Sequence, residues 1–103
     1  MSERYQAAIQ LSKVLADEGK LIEGGWVVLR SMIPPDASQA QIDEMRLAYM
    51  AGAEHLFASL LTILDPGTEP TDADLRRVDL INEELNVWRD EIQLRRRRAE
   101  GSA

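Results

Sequence analysis

Gly19-Lys20-Leu21-Ile22-Glu23-Gly24-Gly25-Trp26 interrupts a pattern that is typical of amphipathic helix on both sides. A glycine in a helix interior costs roughly 0.5 to 1 kcal/mol relative to alanine, so a Gly-Gly pair beside a tryptophan needs a reason. Either the chain bends or changes helix here, or a backbone or ligand approaches too closely for a β-carbon. The stretch by itself leaves both explanations open.

The residues around this stretch predict an all-α protein. Ser2 can cap a first helix, Asp17-Glu18-Gly19 is a weak stop, and Pro34-Pro35 ends the apolar periodicity that resumes at Leu21. We therefore expect residues 2–33 to form one kinked helix or two consecutive helices.

Two longer helices are predicted further along the chain. The first begins at the capping box Ser38-Gln39-Ala40-Gln41 and stops at Asp65-Pro66-Gly67. Its many small side chains predict that it is the central packing helix. The second is predicted to begin at Thr71-Asp72-Ala73-Asp74, where an N-cap residue is followed by acidic residues in the first turn, which the helix dipole favours. We expect the two long helices to form a hairpin.

The length of 103 residues predicts a single helical domain over residues 1–98 with a flexible tail at 99–103. Helices of about 25 residues are about 40 Å long, whereas a compact domain of this size has a radius of gyration of about 13 Å. An elongated helical hairpin would leave apolar surface uncovered. We therefore expect a homo-oligomer in which helices from different copies complete the core.

Composition and charge exclude several classes of function. The N-terminal residues have no signal-peptide pattern, and no apolar run approaches the roughly 20 residues of a membrane span, so a cytoplasmic protein without a membrane partner is predicted. The net charge is −6, and it becomes −9 when residues 95–103, which hold Arg95 to Arg98, are left out. Such an acidic body is unsuited to coating long nucleic acids.

Catalytic and metal chemistry have few candidate residues. The chain contains one histidine, His55, and no cysteine, so a nucleophile and base pair would have to use a residue such as Ser59, one helical turn later. A half-buried structural pair is the simpler interpretation of these two residues. Because ligand spacings such as Glu-x-x-His are absent, no metal site and no cofactor are predicted.

Anion binding has better support, although no phosphate-loop motif occurs. Tyr5 offers a ring on which a base can stack, Lys20 a cation for a phosphate, and Gly24 and Gly25 exposed backbone N–H groups. The alternative is structural, with a core tyrosine, a surface lysine and a tight helix crossing. The pair Arg76-Arg77 could lend charge to a site between copies or could form surface ion pairs with nearby acids.

These residues carry a resemblance to a known family. The chain resembles the small helical phage proteins that act as anti-CBASS cyclic-oligonucleotide sponges. The resemblance rests on Tyr5, Lys20, the Gly24-Gly25-Trp26 turn and three later stretches. The three stretches are Glu44-Met45-Arg46, Ala51-Gly52-Ala53-Glu54-His55-Leu56-Phe57-Ala58-Ser59 and Glu69-Pro70-Thr71-Asp72-Ala73-Asp74-Leu75.

The resemblance implies a non-enzymatic, all-helical homo-hexamer that sequesters cyclic nucleotide second messengers in the cytoplasm of the infected bacterial host. It implies that Tyr5 stacks on a base of a cyclic dinucleotide and that Lys20 meets a phosphate. It also implies a separate pocket for cyclic trinucleotides, for which Gly24, Gly25, His55 and Ser59 are candidates, with Arg76 or Arg77 near the pocket. The alternatives are a helical phage or bacterial interaction or structural adaptor without a nucleotide ligand and, third, a hydrolase that uses His55 and Ser59.

Overall fold

The computed structural model describes residues 2–101, and in this range the chain forms four α-helices and no β-strand. The helices are α1 (Glu3–Asp17), α2 (Leu21–Ser31), α3 (Gln39–Ile63) and α4 (Asp72–Gly101). The all-α prediction is confirmed. The backbone divides into two units, Met1–Leu60 and Leu61–Ala103, which are described separately below. The single-domain prediction and the hairpin arrangement of α3 and α4 stay predictions.

The break between α1 and α2 is a change of helix. The Ser2 hydroxyl caps α1 by accepting the N–H of Tyr5 at 3.1 Å, as predicted. At the other end, Gly19 has a φ of +85°, and the N–H groups of Gly19 and Lys20 donate to the carbonyls of Ala16 and Leu15 at 3.0 and 2.7 Å. This pair of bonds is a Schellman motif, whose left-handed position favours glycine.

Helices α1 and α2 pack tightly against each other. A β-carbon on Gly24 would lie 2.8 Å from the backbone oxygen of Ser12, so the absence of a side chain lets α2 approach the backbone of α1. Ala8 of α1 and Trp26 of α2 are buried, and Ile33, which follows α2, is buried as well. These three are the buried hydrophobic residues of the part of the chain that the structure describes.

Helix α3 begins at the predicted capping box. The Ser38 hydroxyl accepts the Gln41 N–H at 3.1 Å, and the Gln41 side chain accepts the Ser38 N–H at 3.0 Å, so each residue satisfies a backbone donor of the other. No residue of α3 is fully buried, however. Within a single chain, the prediction that α3 is the central packing helix is therefore wrong.

The second unit contains the end of α3, a connection and α4. The connection includes Gly67, with a φ of +125°. The Thr71 hydroxyl caps α4 by accepting the Asp74 N–H at 3.0 Å. Helix α4 continues to Gly101, so Ala99, Glu100 and Gly101 are helical although a flexible tail was predicted from residue 99; Ser102 and Ala103 lie outside the described residues. Across residues 2–101, no helix combines the length and apolar character needed to cross a membrane.

Candidate ligand-binding site

Tyr5 and Lys20, the two residues predicted to contact a cyclic dinucleotide, lie near opposite ends of α1. Tyr5 is half-buried in the first turn, and Lys20 is exposed three residues beyond the last residue of α1, Asp17. At 1.5 Å per residue, the twelve steps from Tyr5 to the end of the helix span about 18 Å. Within a single chain, the backbone positions of Tyr5 and Lys20 are therefore well separated.

Lys20 is the N-cap residue of α2, and its side chain makes no cap hydrogen bond. Lysine is an unusual choice here, because short polar residues are preferred at N-caps and the helix dipole disfavours a cation at this end. The Lys20 ammonium is the last and smallest of the groups that lower the pKa of Glu23. Its place at the start of α2 is thus not explained by local helix stabilisation.

Gly24 and Gly25 are both engaged in packing, on two different sides of α2. Gly24 is buried against the backbone of Ser12, and a β-carbon on Gly25 would collide with the hydroxyl of Tyr49 from α3. The explanation that a backbone approaches closely is therefore correct for Gly24, whereas the group that approaches Gly25 is the side chain of Tyr49. Their predicted contact with a ligand stays a prediction.

An ion pair and two aromatic rings join α2 to α3 beside these glycines. Arg46 donates to both carboxylate oxygens of Glu23, at 3.0 and 2.6 Å, and its guanidinium lies 5.6 Å from the centre of the Trp26 ring. Tyr49 donates its hydroxyl proton to the Ile22 carbonyl at 3.0 Å, with its ring centre 5.9 Å from that of Trp26. Distances of this size are typical of cation–π and tilted aromatic pairs.

The hydrogen bond from Arg46 is the main cause that lowers the pKa of the Glu23 carboxyl. The same bond raises the pKa of the Arg46 guanidinium. Glu23 is a residue that sequence reasoning missed, because Arg46 has an acidic neighbour at Glu44 and the partner that the fold supplies is 23 positions away. The sequence offered only a weak indication that Glu23 contributes to a site, namely that Glu23 and Trp26 flank the Gly24-Gly25 pair.

His55 and Ser59 do not form the predicted polar side-chain pair. His55 is exposed, and the Ser59 hydroxyl donates to the backbone carbonyl of His55 at 2.8 Å. Serine side chains in helices commonly form this intrahelical hydrogen bond. The bond directs the Ser59 hydroxyl proton away from the imidazole of His55. Their assignment to a trinucleotide pocket stays a prediction. Residues 2–101 contain no group of three or more His, Asp or Glu side chains that could hold a metal ion.

Arg77 and Arg76 differ in their surroundings at the start of α4. Arg77 donates through Nη1 to Asp65 and to Asp74, each at 3.0 Å, whereas Arg76 is exposed and makes no ion pair within the described residues. The Arg77 guanidinium is thus paired with two carboxylates. Arg76 is the member of the pair whose guanidinium remains accessible to an anion.

Asp74 is the centre of a hydrogen-bond network that also includes Asp65 and Thr71. Only 7% of Asp74 is exposed, and its carboxylate accepts the backbone N–H groups of Asp65 and Thr71 at 2.8 and 3.2 Å. The hydrogen bond from the Asp65 backbone N–H is the main cause that lowers the pKa of the Asp74 carboxyl. The hydrogen bond from the Thr71 hydroxyl is the main cause that lowers the pKa of the Asp65 carboxyl. Sequence reasoning identified the cap but missed this network.

A cavity of about 370 Å³ lies in the second unit, formed by the connection before α4 and the first turns of that helix. Its walls combine apolar side chains with carboxylates: Leu64, Asp65, Gly67, Thr68, Glu69, Pro70, Asp74, Leu75 and Val78. No basic residue lines it. The charge of this cavity is therefore unsuitable for a phosphate compound.

Large apolar side chains are exposed along both long helices. On α3 these include Leu47, Leu56, Phe57 and Leu61, and on α4 Leu75, Val78, Leu80, Leu85, Val87, Trp88 and Leu94. Leu47 is 72% exposed. Single exposed leucines are ordinary on a soluble protein, but exposure at this density is typical of surfaces that another chain covers.

Comparisons with protein-family models, with curated proteins and with solved structures give no match to this chain.

Proposed function

We propose that this chain is a ligand-sequestering protein that binds cyclic dinucleotides, and cyclic trinucleotides at a second site, without cleaving them. By withholding these signals in the cytoplasm of an infected bacterium, it would block CBASS antiphage immunity. The observation that carries the proposal is that the Tyr5 hydroxyl and the Lys20 ammonium have no hydrogen-bond or ion-pair partner within residues 2–101. The other well-placed polar candidate, Arg77, is occupied by carboxylates.

The chemistry of the two residues suits a cyclic dinucleotide. An aromatic ring stacks on any base, and an ammonium pairs with a phosphate oxygen through a charge-assisted hydrogen bond. A cyclic dinucleotide carries only two negative charges, so a few local cations are sufficient for binding. The net charge of −6 repels long nucleic acids and thereby favours the small ligand.

The separation of about 18 Å between Tyr5 and the end of α1 implies a site shared between copies. If two α1 helices lie antiparallel about a two-fold axis, Tyr5 of one copy approaches Lys20 of the other, and the reverse contact follows by symmetry. Two equivalent composite sites result. The exposed apolar residues of α3 and α4 support such self-association, and the resemblance suggests a homo-hexamer.

Calorimetry with 3′,3′-linked cyclic dinucleotides tests the site assignment. Tyr5→Ala and Lys20→Ala should each weaken binding by ~1 to 3 kcal/mol, as for a lost stacking or charged contact. Lys13→Ala, which removes another exposed lysine near α1's C-terminal half, is the matched control and should leave the affinity unchanged. Full affinity in both site variants would refute the assignment.

Mixing the two variants tests whether the site is shared between copies. Neither Tyr5→Ala nor Lys20→Ala alone has an intact composite site, but a mixed pair contains one site with both side chains. Random exchange should restore about a quarter of the wild-type sites. Absence of any recovery would exclude a shared site. Ligand released by proteolysis of the complex should be intact, and linear products would indicate an enzyme instead.

A second candidate function is a helical interaction or structural adaptor without a nucleotide ligand. The exposed apolar side chains of α4, among them Val87 and Trp88, favour it, because a partner protein could cover them in place of a second copy. A pull-down that yields a stoichiometric protein partner, together with no thermal shift from any cyclic dinucleotide or trinucleotide, would support the adaptor. A thermal shift with cyclic nucleotides would support sequestration.

A further inference from the structure

Two arginines line a small cleft between α1 and α2, within the first unit. The cleft has a volume of about 230 Å³, and Arg4 enters its lining from α1 and Arg30 from α2. The rest of the lining is mostly aliphatic, with Leu11 and Val27 as the largest members. The cleft thus combines two permanent positive charges with an apolar wall.

Neither arginine of the cleft is neutralised by an acid of the described chain. The carboxylates of Glu23, Asp65 and Asp74 pair with Arg46 and Arg77 instead. Arg4 makes a long hydrogen bond, 3.4 Å from its Nη2 to the backbone oxygen of Arg30. The chain has 18 acidic residues, so two unpaired guanidiniums in one cleft are not explained by a shortage of carboxylates.

Arg30 also carries an unsatisfied donor. Its Nη1 is shielded from solvent and has no hydrogen-bond partner. A guanidinium remains protonated under all ordinary conditions, and a buried donor without an acceptor is unfavourable. An acceptor with negative charge that enters the cleft would satisfy this group and balance the charge of both arginines.

We propose that the cleft between α1 and α2 binds a small organic anion, a carboxylate or a phosphate monoester with a short apolar body. The anionic oxygens accept hydrogen bonds from Arg4 and Arg30, for which the planar guanidinium fork is suited, and the apolar body lies against Leu11 and Val27. On binding, the Arg30 guanidinium turns so that Nη1 meets an anionic oxygen.

The size of the cleft separates this ligand from the one in the proposed function. Pockets that enclose drug-sized ligands measure about 300 to 1,000 Å³, and a cleft of about 230 Å³ is smaller. The cleft is too small to enclose a complete cyclic dinucleotide, whereas a ligand of the size of phenyl phosphate matches it. The inference therefore stands independently of the cyclic-nucleotide proposal.

Titration of phenyl phosphate into the labelled full-length chain, followed by NMR of the arginine Nε–H groups, tests the inference. Saturable shifts of the Arg4 and Arg30 signals are expected, and benzyl alcohol, a neutral analogue, should produce none. Arg4→Gln and Arg30→Gln should each weaken binding about tenfold or more, as for a lost charged hydrogen bond. Lys13→Gln removes an exposed positive charge from α1 and should change affinity less than about twofold, because that interaction is screened.

Two results would overturn the inference. One is unchanged affinity in both arginine variants, and the other is an equal loss in Lys13→Gln, which would indicate nonspecific attraction. Arg4 is exposed and Arg30 half-buried, so circular dichroism of both variants accompanies the titration, and Arg4→Gln keeps the test decisive if Arg30→Gln unfolds. Cyclic dinucleotide titrations of the same variants report separately on the proposed function.

Discussion

Replacing Gly24 by alanine should destabilise the protein, against the usual preference of helices for alanine. The new β-carbon would lie 2.8 Å from the Ser12 oxygen and 3.2 Å from the Ser12 Cα. Both atoms belong to the backbone, so no rotamer change relieves the contact. To restore a separation of about 3.5 Å, α1 and α2 must move apart by roughly 0.7 Å. Overpacking of this kind costs about 1 to 3 kcal/mol.

The expected net effect of Gly24→Ala is smaller than the packing cost alone. Alanine recovers about 0.5 to 1 kcal/mol of helix propensity and chain entropy, which leaves a net loss of up to about 2.5 kcal/mol in the free energy of unfolding. Gly52→Ala is the matched control, because Gly52 lies in helix α3 with no atom near its missing β-carbon. That variant should gain about 0.5 to 1 kcal/mol.

Urea denaturation followed by far-UV circular dichroism measures both variants. All samples need the same protein concentration, because the stability of a self-associating protein depends on it. The two substitutions should therefore change the free energy of unfolding in opposite directions. Equal stabilisation by Gly24→Ala and Gly52→Ala would refute the close crossing of α1 and α2 at Ser12.

Two further predictions concern the α2–α3 cluster and the network at the start of α4. Gly25→Ala should destabilise by up to about 1 kcal/mol, because the Tyr49 hydroxyl can move aside but then loses its hydrogen bond to Ile22, and adding Tyr49→Phe should recover part of that loss; a double-mutant cycle from thermal unfolding with no coupling would contradict this contact. Because folding lowers the pKa of Asp74 from its ordinary 3.8, its contribution to stability is complete at neutral pH and declines as the pH falls below about 4. Asp74→Asn should therefore be less stable at pH 7 and show a flatter acid dependence, whereas a flattening equally large in Asp79→Asn, an exposed acid on α4, would contradict the assignment.

The helix boundaries followed from local sequence because their determinants are local. The Ser38 cap reaches Gln41, the Thr71 cap reaches Asp74, and Gly19 closes α1 through bonds to residues at most five positions away. Such contacts form whenever the backbone becomes helical, so residue type and spacing suffice to predict them. The end of α4 was predicted too early, because no proline follows Arg98 and the helix continues for three more residues, to Gly101.

The candidate site could be predicted only in part. The sequence identified Tyr5 and Lys20 as chemically suitable residues, but their positions relative to a second copy depend on how chains associate. It offered two explanations for the Gly24-Gly25 pair, and the geometry favours packing for both glycines. The Arg4–Arg30 cleft was not predicted, because 26 positions separate the two arginines and nothing in their spacing indicates that they line one cavity.

The sequence by itself determined the fold class, the interruption of the helical pattern near Gly19 and the caps that begin α3 and α4, whereas the structure decided that the interruption is a change of helix. Tertiary structure decided which carboxylate pairs with Arg46, which atoms approach Gly24 and Gly25, and which guanidiniums are left without an acid. The physical reason is the range of the interactions. Capping and helix propensity act over a few residues, whereas ion pairs and helix crossings depend on the angle and register at which distant segments meet.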